Sequence, residues 1–410
     1  MDFTPTRARG QHRLAEFLPA AGRHYADARN HDNGPAAGGR GNVSQLSPWL
    51  HAGLIDETEV LQAVLGMHSL CAAEKFIAEV FWRVYFKGYL EQRPGVWADY
   101  CAGRDAALAA MGRNSGLARA YRQATAGRTG IAAFDVWARE LVETGYLHNH
   151  ARMWLASIWI FTLKLDWQLG ADFFLRHLMD GDAASNTLSW RWVAGLHTKG
   201  KHYLARSDNI ARYTVGRPDG PLAAKGLAED AAPLEEPQDH PRRLPDLPPP
   251  VSAADFAQPF ALLLHDEAAH HAPLALPAAP ALVIGASRPE ARSPGALGTA
   301  AARFAAGAIA GGLADAAAAF GCPAREWHAG EPLEPLLAEG GIARLAVPYI
   351  PAGWTRDALA PGLAPLAAQG RVLSLLGDLD RATWPHARAG FFGVAKQIDA
   401  LLGECGISGS

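Results

Sequence analysis

The chain is poor in the devices that staple or anchor a protein. Its four cysteines, Cys71, Cys101, Cys322 and Cys405, are scattered through 410 residues, with no C-x-x-C pair and no histidine at ligand spacing nearby. That argues against a disulfide framework, a zinc site and a sequence-local iron–sulfur cluster, so no metal is expected and the thiols read as small buried apolar groups. Long hydrophobic runs are missing too. The most apolar helix-like stretch, Met153 to Leu165, is short and carries Lys164, and the Ala-rich run Ala300 to Phe320 is broken by Arg303 and Asp315. No membrane span is expected. The N-terminus, Met-Asp-Phe-Thr-Pro-Thr-Arg-Ala-Arg, has no apolar core of a signal peptide, which points to the cytoplasm. Nor does one sign of charge dominate: the formal net charge is −3, with 26 Lys and Arg against 21 Asp and Glu up to Lys225, and 12 against 20 beyond it. A polyanion would be better received by the first half, though much of that excess is also what a solvated helix surface carries.

What is present divides the chain in two. The length suits two domains of ordinary size. Between them the stretch PLEEPQDHPRRLPDLPPP is Pro-rich and acidic and cannot sustain helix or sheet, so residues 228–253 are expected to be a linker. Residues 1–227 carry helical periodicity, Trp and Arg, with helices expected over Ser69–Leu90, Ile131–Thr144, Asn149–Leu165 and Ala171–Met179. This half is expected to be all-α. Residues 254–410 alternate short apolar runs, Phe260–His265, Ala281–Gly285, Ala343–Tyr349 and Arg371–Leu376, with helical patterns such as Leu297–Phe320. That alternation predicts βαβ units and a Rossmann-like α/β domain. No G-x-G-x-x-G or Walker motif occurs in it, so the fold expectation brings no phosphate site with it.

Four segments of the first half carry chemistry. Asp180-Gly-Asp-Ala-Ala-Ser-Asn-Thr-Leu-Ser-Trp-Arg-Trp192 gathers two carboxylates, an amide and two indoles. By itself it reads either as a redox site or as a polar loop capping a helix. Gly41-Asn-Val-Ser-Gln-Leu-Ser-Pro-Trp-Leu50 follows Tyr25-Ala-Asp-Ala-Arg29, and its serines could simply be helix caps. Phe76-Ile-Ala-Glu-Val-Phe-Trp-Arg-Val-Tyr-Phe-Lys87 places Glu79 and Trp82 three apart on one helix face, although aromatics there are more often core. Tyr146-Leu-His-Asn-His-Ala-Arg-Met153 puts Asn149, Arg152 and Met153 on one stripe.

In this order the segments resemble the photolyase and cryptochrome family, whose corresponding motifs read D-G-D-x-A-x-N-x-x-x-W-x-W, T-S-x-L-S-P after Y-x-x-x-R, x-x-x-E-L-x-W-R-E-F-Y-R and W-M-H-N-R-x-R-M. The resemblance covers about Arg7 to Arg217 and implies an FAD-binding helical domain. It implies that Tyr25, Val43, Ser44, Gln45, Leu46, Ser47 and Phe76 contact the cofactor, with the loop receiving its phosphates, and that Asp180 and Asp182 hold the isoalloxazine edge. Arg152 would pair with Asp180, and Asn186 would face the flavin N5. Trp190 and then Trp167 would pass electrons to it. Glu79, Trp82, Arg83, Asn149, Met153 and Trp192 would bind a cyclobutane pyrimidine dimer flipped out of DNA, Glu79 by hydrogen bonding and the two indoles by stacking. Light-driven repair is the implied activity.

Departures from the pattern keep other readings open. Val43 replaces a Thr, Val84 a Glu, Phe86 a Tyr and His150 an Arg, and Asn114 stands where the resemblance places the distal tryptophan of the electron chain. Of these, His150, Val84 and the missing distal tryptophan favour a cryptochrome-like photoreceptor without repair, whereas the retained Glu79, Trp82, Asn149, Met153 and Asn186 favour repair. A flavin-stabilised DNA-binding scaffold is a third reading. Ordinary members carry an α/β antenna domain before the helical one, whereas this chain starts almost at the flavin domain. The expectation is therefore that the usual N-terminal antenna domain is lacking and that residues 254–410 are its rearranged counterpart. No residue singled out above identifies an antenna chromophore or an oligomeric state.

Overall fold

Helix-forming sequence with well-placed caps dominates the chain up to Tyr213. In the computed structural model, which describes residues 2–36 and 38–408, twelve α-helices are described over that stretch. They are α1 (Arg7–Phe17), α2 (Arg23–Ala28), α3 (Ser47–His51), α4 (Glu57–Leu65), α5 (Leu70–Gln92), α6 (Pro94–Arg113), α7 (Ser115–Thr125), α8 (Ala132–Thr144), α9 (Asn149–Ser157), α10 (Trp167–His177), α11 (Ala183–Ala194) and α12 (Ser207–Tyr213). Asp56 and Glu59 form a reciprocal capping box that starts α4. Ser69 caps α5 by accepting the amide of Ala72 at 3.3 Å, and from there Ala73, Phe76, Ile77, Val80, Phe81 and Val84 recur at helical spacing and are buried. Asn114 accepts the amides of Gly116 and Leu117, each at 3.0 Å, and so caps α7. Each such cap is worth about 1 kcal/mol to its helix.

Two of the expected helices differ in detail. The helix predicted over Asn149–Leu165 is α-helical only to Ser157 and then opens into a π-helical turn, Ile158–Thr162, followed by Lys164 at φ 56°. The helix predicted over Ala171–Met179 starts four residues earlier, at Trp167, and ends at His177. Apolar side chains surround both segments, so periodicity alone marks their ends poorly.

Beyond residue 213 the backbone forms no helix or strand until Ala253. The Pro-rich stretch nevertheless lies against the helices: Leu234 donates its amide to Ala194 O at 2.9 Å, Arg243 donates its own to Gln92 O at 2.8 Å, and Arg191 forks onto Glu236 at 2.6 and 2.7 Å.

The remainder builds a parallel sheet of β1 (Phe260–His265), β2 (Leu282–Ala286), β3 (Ala324–Glu326), β4 (Arg344–Pro348) and β5 (Val372–Leu375), in the order β3-β2-β1-β4-β5. The register runs Leu263 opposite Ile284, Ala261 opposite Leu345 and Ala346 opposite Leu373. Strand β3 has no apolar run to betray it in the sequence, because it is an exposed edge of three residues, Ala324-Arg-Glu326. Helices α13 (Thr299–Phe320), α14 (Glu334–Ala338), α15 (Trp354–Ala368), α16 (Asp378–Thr383), α17 (Phe392–Ala395) and α18 (Ile398–Glu404) complete the chain. Strand alternation sorts the core: Ala261, Leu263, Ile284, Leu345 and Val347 pack with Leu359, Leu363 and Leu366 of α15. Leu262, Leu264, Val283 and Ala346 on the other face join α13 and the core of the helical region. The sheet region is thus continuous with the helices. Among the described residues no helix is long and apolar enough to cross a membrane.

The helical core contains a fully buried charge network. Asp32 faces Arg40 at 3.1 Å and Arg217 at 2.8 Å, Arg217 reaches Glu140 at 3.1 Å, and Arg40 also pairs with Glu140. Burial pushes the Asp32 carboxyl up, but Arg40, His148 and Arg217 pull it below the ordinary carboxylate range, to about 2. Removing one anion leaves guanidinium charge buried with too few partners. Asp32→Ala is therefore expected to destabilise the fold by about 3–5 kcal/mol in urea unfolding, whereas a loss within about 0.5 kcal/mol would show that the network is dispensable.

Candidate flavin and substrate site

Helix α5 brings most of the site together because its charged residues sit on the same side as part of its apolar face. Phe76, Glu79 and Arg83 follow one another at i, i+3 and i+7, with Trp82 beside them. α5 packs against α2 and α11, and α11 against α9, so the segments separated in sequence converge. From α2, Tyr25 stands edge-on to Phe76 with ring centroids 5.2 Å apart. Burial, ahead of the charge of Glu79, raises the Tyr25 phenol above its usual value. Arg29, one turn on, pairs with Glu79.

The loop Val43–Ser47 is fixed from two sides. Asn42 donates its amide to Ala28 O and His31 O, both at 2.8 Å, which ties the loop to the end of α2. Arg13 grips the carbonyls of Ser44 and Val43, also at 2.8 Å each. Gln45 takes a positive φ of 57° and is buried with Val43 and Leu46, while Ser44 and Ser47 keep partial exposure. Ser44 accepts the Leu46 amide at 3.4 Å within the loop.

The segment from Asp180 is a turn followed by a helix. Asp182 is the N-cap of α11, accepting the amide of Ser185 at 2.6 Å. It also pairs with Arg83 of α5 at 3.1 Å. Its carboxyl is held far below the ordinary range, because Arg83 and Lys87 outweigh the burial that would raise it. Asp180 receives both terminal nitrogens of Arg152, at 3.1 and 2.9 Å. Asn186 lies one turn into α11 and donates its side-chain amide to Ala171 O at 2.9 Å. Trp190 follows, fully buried, with its indole N–H unpartnered among the described residues.

The residues expected at the substrate form a looser group. Glu79 and Met153 are half-buried and Asn149 is exposed at the start of α9. Trp82 is covered: Phe391 of the C-terminal segment lies flat on it, with centroids 4.0 Å apart and planes at 15°. Tyr85 donates its hydroxyl to Ala389 O at 2.6 Å and holds that segment there. Trp192 stacks on Tyr203 at 5.8 Å. Both indoles therefore have a partner within the chain. Trp167 begins α10 with its ring 5.7 Å from that of Tyr100, and Asn114 is an exposed helix cap.

The sheet region supplies neighbours that no local motif announces. Arg292 donates to Leu178 O at 2.9 Å and lies 4.9 Å over the ring of Trp354, whose indole N–H bonds Gly181 O at 2.8 Å. A Cβ on Gly181 would come within 2.5 Å of the Arg292 guanidinium, so a larger residue there would make that side chain shift. Glu267, just past β1, faces Lys87 at 3.9 Å. With His51 and Asp182 it places three ligand-type atoms within 4.8 Å of one another. Arg83, Lys87 and Arg292 already bring positive charge to that space, and burial together with Arg292 holds His51 neutral by depressing its pKa. Arg83 and Lys87 thus face the two carboxylates of this cluster.

A family model described as the FAD binding domain of DNA photolyase matches residues 76–214. A deoxyribodipyrimidine photo-lyase of Streptomyces griseus is 34% identical over 181 residues, which is 41% of this chain and 38% of that protein. Its counterpart from Agrobacterium fabrum is 31% identical over 196 residues, 47% and 39% of the two. A chloroplastic/mitochondrial cryptochrome DASH of Ostreococcus tauri is 32% identical over 212 residues, 50% and 37%. Among solved structures, a bacterial class III photolyase from Agrobacterium tumefaciens superposes with a TM-score of 0.42 at 27% identity, over 51% of this chain and 43% of that one. The chain spans less than two fifths of the length of these photo-lyase relatives.

Glu267 and Asp182 share one buried space, and only one of them keeps its charge. Burial, with Asp182 adding to it, pushes the Glu267 carboxyl above the ordinary range despite Lys87. The folded chain then holds a proton that the unfolded chain releases above about pH 4.3, so this group's contribution to stability is full below that value and is lost as pH rises. Glu267→Gln removes the effect. In urea unfolding the variant is expected to gain on the wild type between about pH 5 and about pH 8, and an offset that does not change with pH would contradict it.

Proposed function

The helical region belongs to the photolyase and cryptochrome family, and on that premise we propose that the protein binds FAD and repairs cyclobutane pyrimidine dimers in DNA with light. The observation that carries this reading is the meeting of α5 with the start of α11. The Arg83–Asp182 pair holds the face bearing Phe76, Glu79 and Trp82 against the turn bearing Asp180, Asp182 and Asn186.

The donor set fits a flavin. Carboxylates at Asp180 and Asp182 are acceptors for ring N–H groups, Asn186 and the unpartnered indole N–H of Trp190 lie one and two turns further along α11, and Tyr25 and Phe76 offer aromatic surface. The loop Val43–Ser47, held by Arg13 and Asn42, is the segment we assign to the diphosphate. When bound and reduced, FAD supplies the excited electron that splits the dimer. The chain's own residues do the rest. Arg152 fixes Asp180, Arg83 fixes Asp182, and both carboxylates are thereby set before any ligand arrives, which lowers the cost of organising the site. Glu79 must exchange Arg29 for the dimer. A flipped base must displace Phe391 to stack on Trp82, and Asn149 and Met153 stand at the rim to meet it.

That covering of Trp82 favours a second reading, a photoreceptor of the cryptochrome kind that binds FAD and does not repair. We read the sheet region as the counterpart of the family's α/β domain, placed after the helical one. Its parallel order β3-β2-β1-β4-β5 and its packing on α5 and on the Asp180 turn support this.

Illumination of the reduced, FAD-loaded protein with a dimer-containing oligonucleotide separates the readings. Loss of the lesion is expected, and Glu79→Ala is expected to slow it by about 10²-fold, within the range for one positioned polar group, while leaving flavin absorbance unchanged. An intact lesion with FAD bound would reject repair and leave the photoreceptor.

A further inference from the structure

A tryptophan oxidised beside a buried flavin is useful only if the vacancy can travel to a place where it can be refilled, and aromatic rings in near contact are the means. The line through Trp167 passes to Tyr100 and ends beside the exposed carboxylate of Asp357. Beyond Tyr100 its next ring is Trp97, 5.2 Å further on, which is buried and spends its indole N–H on Asp357 at 2.7 Å.

A second line starts at Trp190 itself. Trp159, in the π-helical turn after α9, stands 6.2 Å from Trp190 with the rings at 87°. Tyr121 of α7 stands 6.0 Å from Trp159, again at 87°. Tyr121 lines an open cleft of about 470 Å³ together with Asp172, Phe173, Arg176 and His177. The line is built, because Gly170 lies between the first two indoles. A Cβ there would collide with the Trp190 ring at Cη2 and come within 3.0 Å of Trp159 Cε2, so any other residue would wedge them apart.

We propose that Trp190, Trp159 and Tyr121 form an electron relay from the flavin site to this cleft, in place of a line ending at residue 114. The proposal rests on the flavin reading above. One electron removed from Trp190 by excited oxidised flavin is replaced from Trp159, and the vacancy there is replaced from Tyr121. As Tyr121 gives up the electron its O–H bond breaks and the proton passes to water of the cleft or to Asp172, whose Oδ1 is buried without a hydrogen-bond partner among the described residues. The product is a neutral phenoxyl radical, refilled by a one-electron donor such as a thiol in solution. Arg176 donates to the Tyr121 oxygen at 2.8 Å, which leaves the phenol's own hydrogen free to depart. Burial raises the Tyr121 phenol above its usual pKa, so the ring is protonated before it is oxidised.

The test uses the full FAD-loaded chain and the variants Trp159→Phe, Tyr121→Phe and Trp167→Phe, each first checked for flavin absorbance. Under illumination of the oxidised protein, electron paramagnetic resonance is expected to show a tyrosyl radical in the wild type and in Trp167→Phe, and to lose it in the other two. Light-driven reduction of the bound flavin should be lost with it. A radical and a photoreduction that survive in both Trp159→Phe and Tyr121→Phe but vanish in Trp167→Phe would overturn the relay and leave the flavin reading intact. A chain that takes up no flavin would overturn both.

Discussion

The structure depends on keeping two cations of one helix out of water. Arg83 and Lys87 project from α5 with little exposure, and a buried charge without a counter-ion costs several kcal/mol. Arg83 finds its anions in distant parts of the chain, Glu57 at the start of α4 and Asp182 at the start of α11, and Lys87 faces Glu267 past β1, whose carboxyl burial pushes above the ordinary range. Satisfying α5 thus fixes the position of the Asp180 turn and draws the sheet region against it. The helix that would meet the substrate and the turn that would meet the flavin are set by the same ion pairs.

This arrangement makes the two regions interdependent. The sheet region contacts the Asp180 turn at the backbone, through Arg292 on Leu178 O and Trp354 on Gly181 O, and it reaches Trp82 through Phe391. Glu91 adds an anchor at the end of α5, receiving Ala352 N at 2.6 Å, Tyr349 OH at 3.0 Å and Arg356 at 2.6 Å. Such contacts support the Asp180 turn at one place and cover Trp82 at another.

What the sequence disclosed follows from how local each signal is. The all-α and parallel α/β halves were legible because a period of 3.6 and short apolar runs are local patterns, and α5 was readable almost to its ends. The Asp180–Trp192 segment was readable both as chemistry and as a polar loop capping a helix, and Asp182 is indeed the cap of α11; which carboxylate caps was not readable, because a capping carboxylate and a site carboxylate look alike in sequence. The end of α9 was lost to the π turn at Ile158–Thr162, and β3 to its brevity. Arg292, Trp354, Glu267 and Phe391 reach the site only through tertiary packing, and no spacing rule could have found them. Only the fold shows that Gly170 lets two of the 12 tryptophans meet.

The account stands on flavin occupying the space between α5 and α11. Purified full-length chain, confirmed folded by circular dichroism, should be denatured and the released chromophore identified and quantified, with and without prior incubation with FAD. The account predicts FAD equimolar with the chain. Folded protein that neither retains nor takes up any flavin would contradict it.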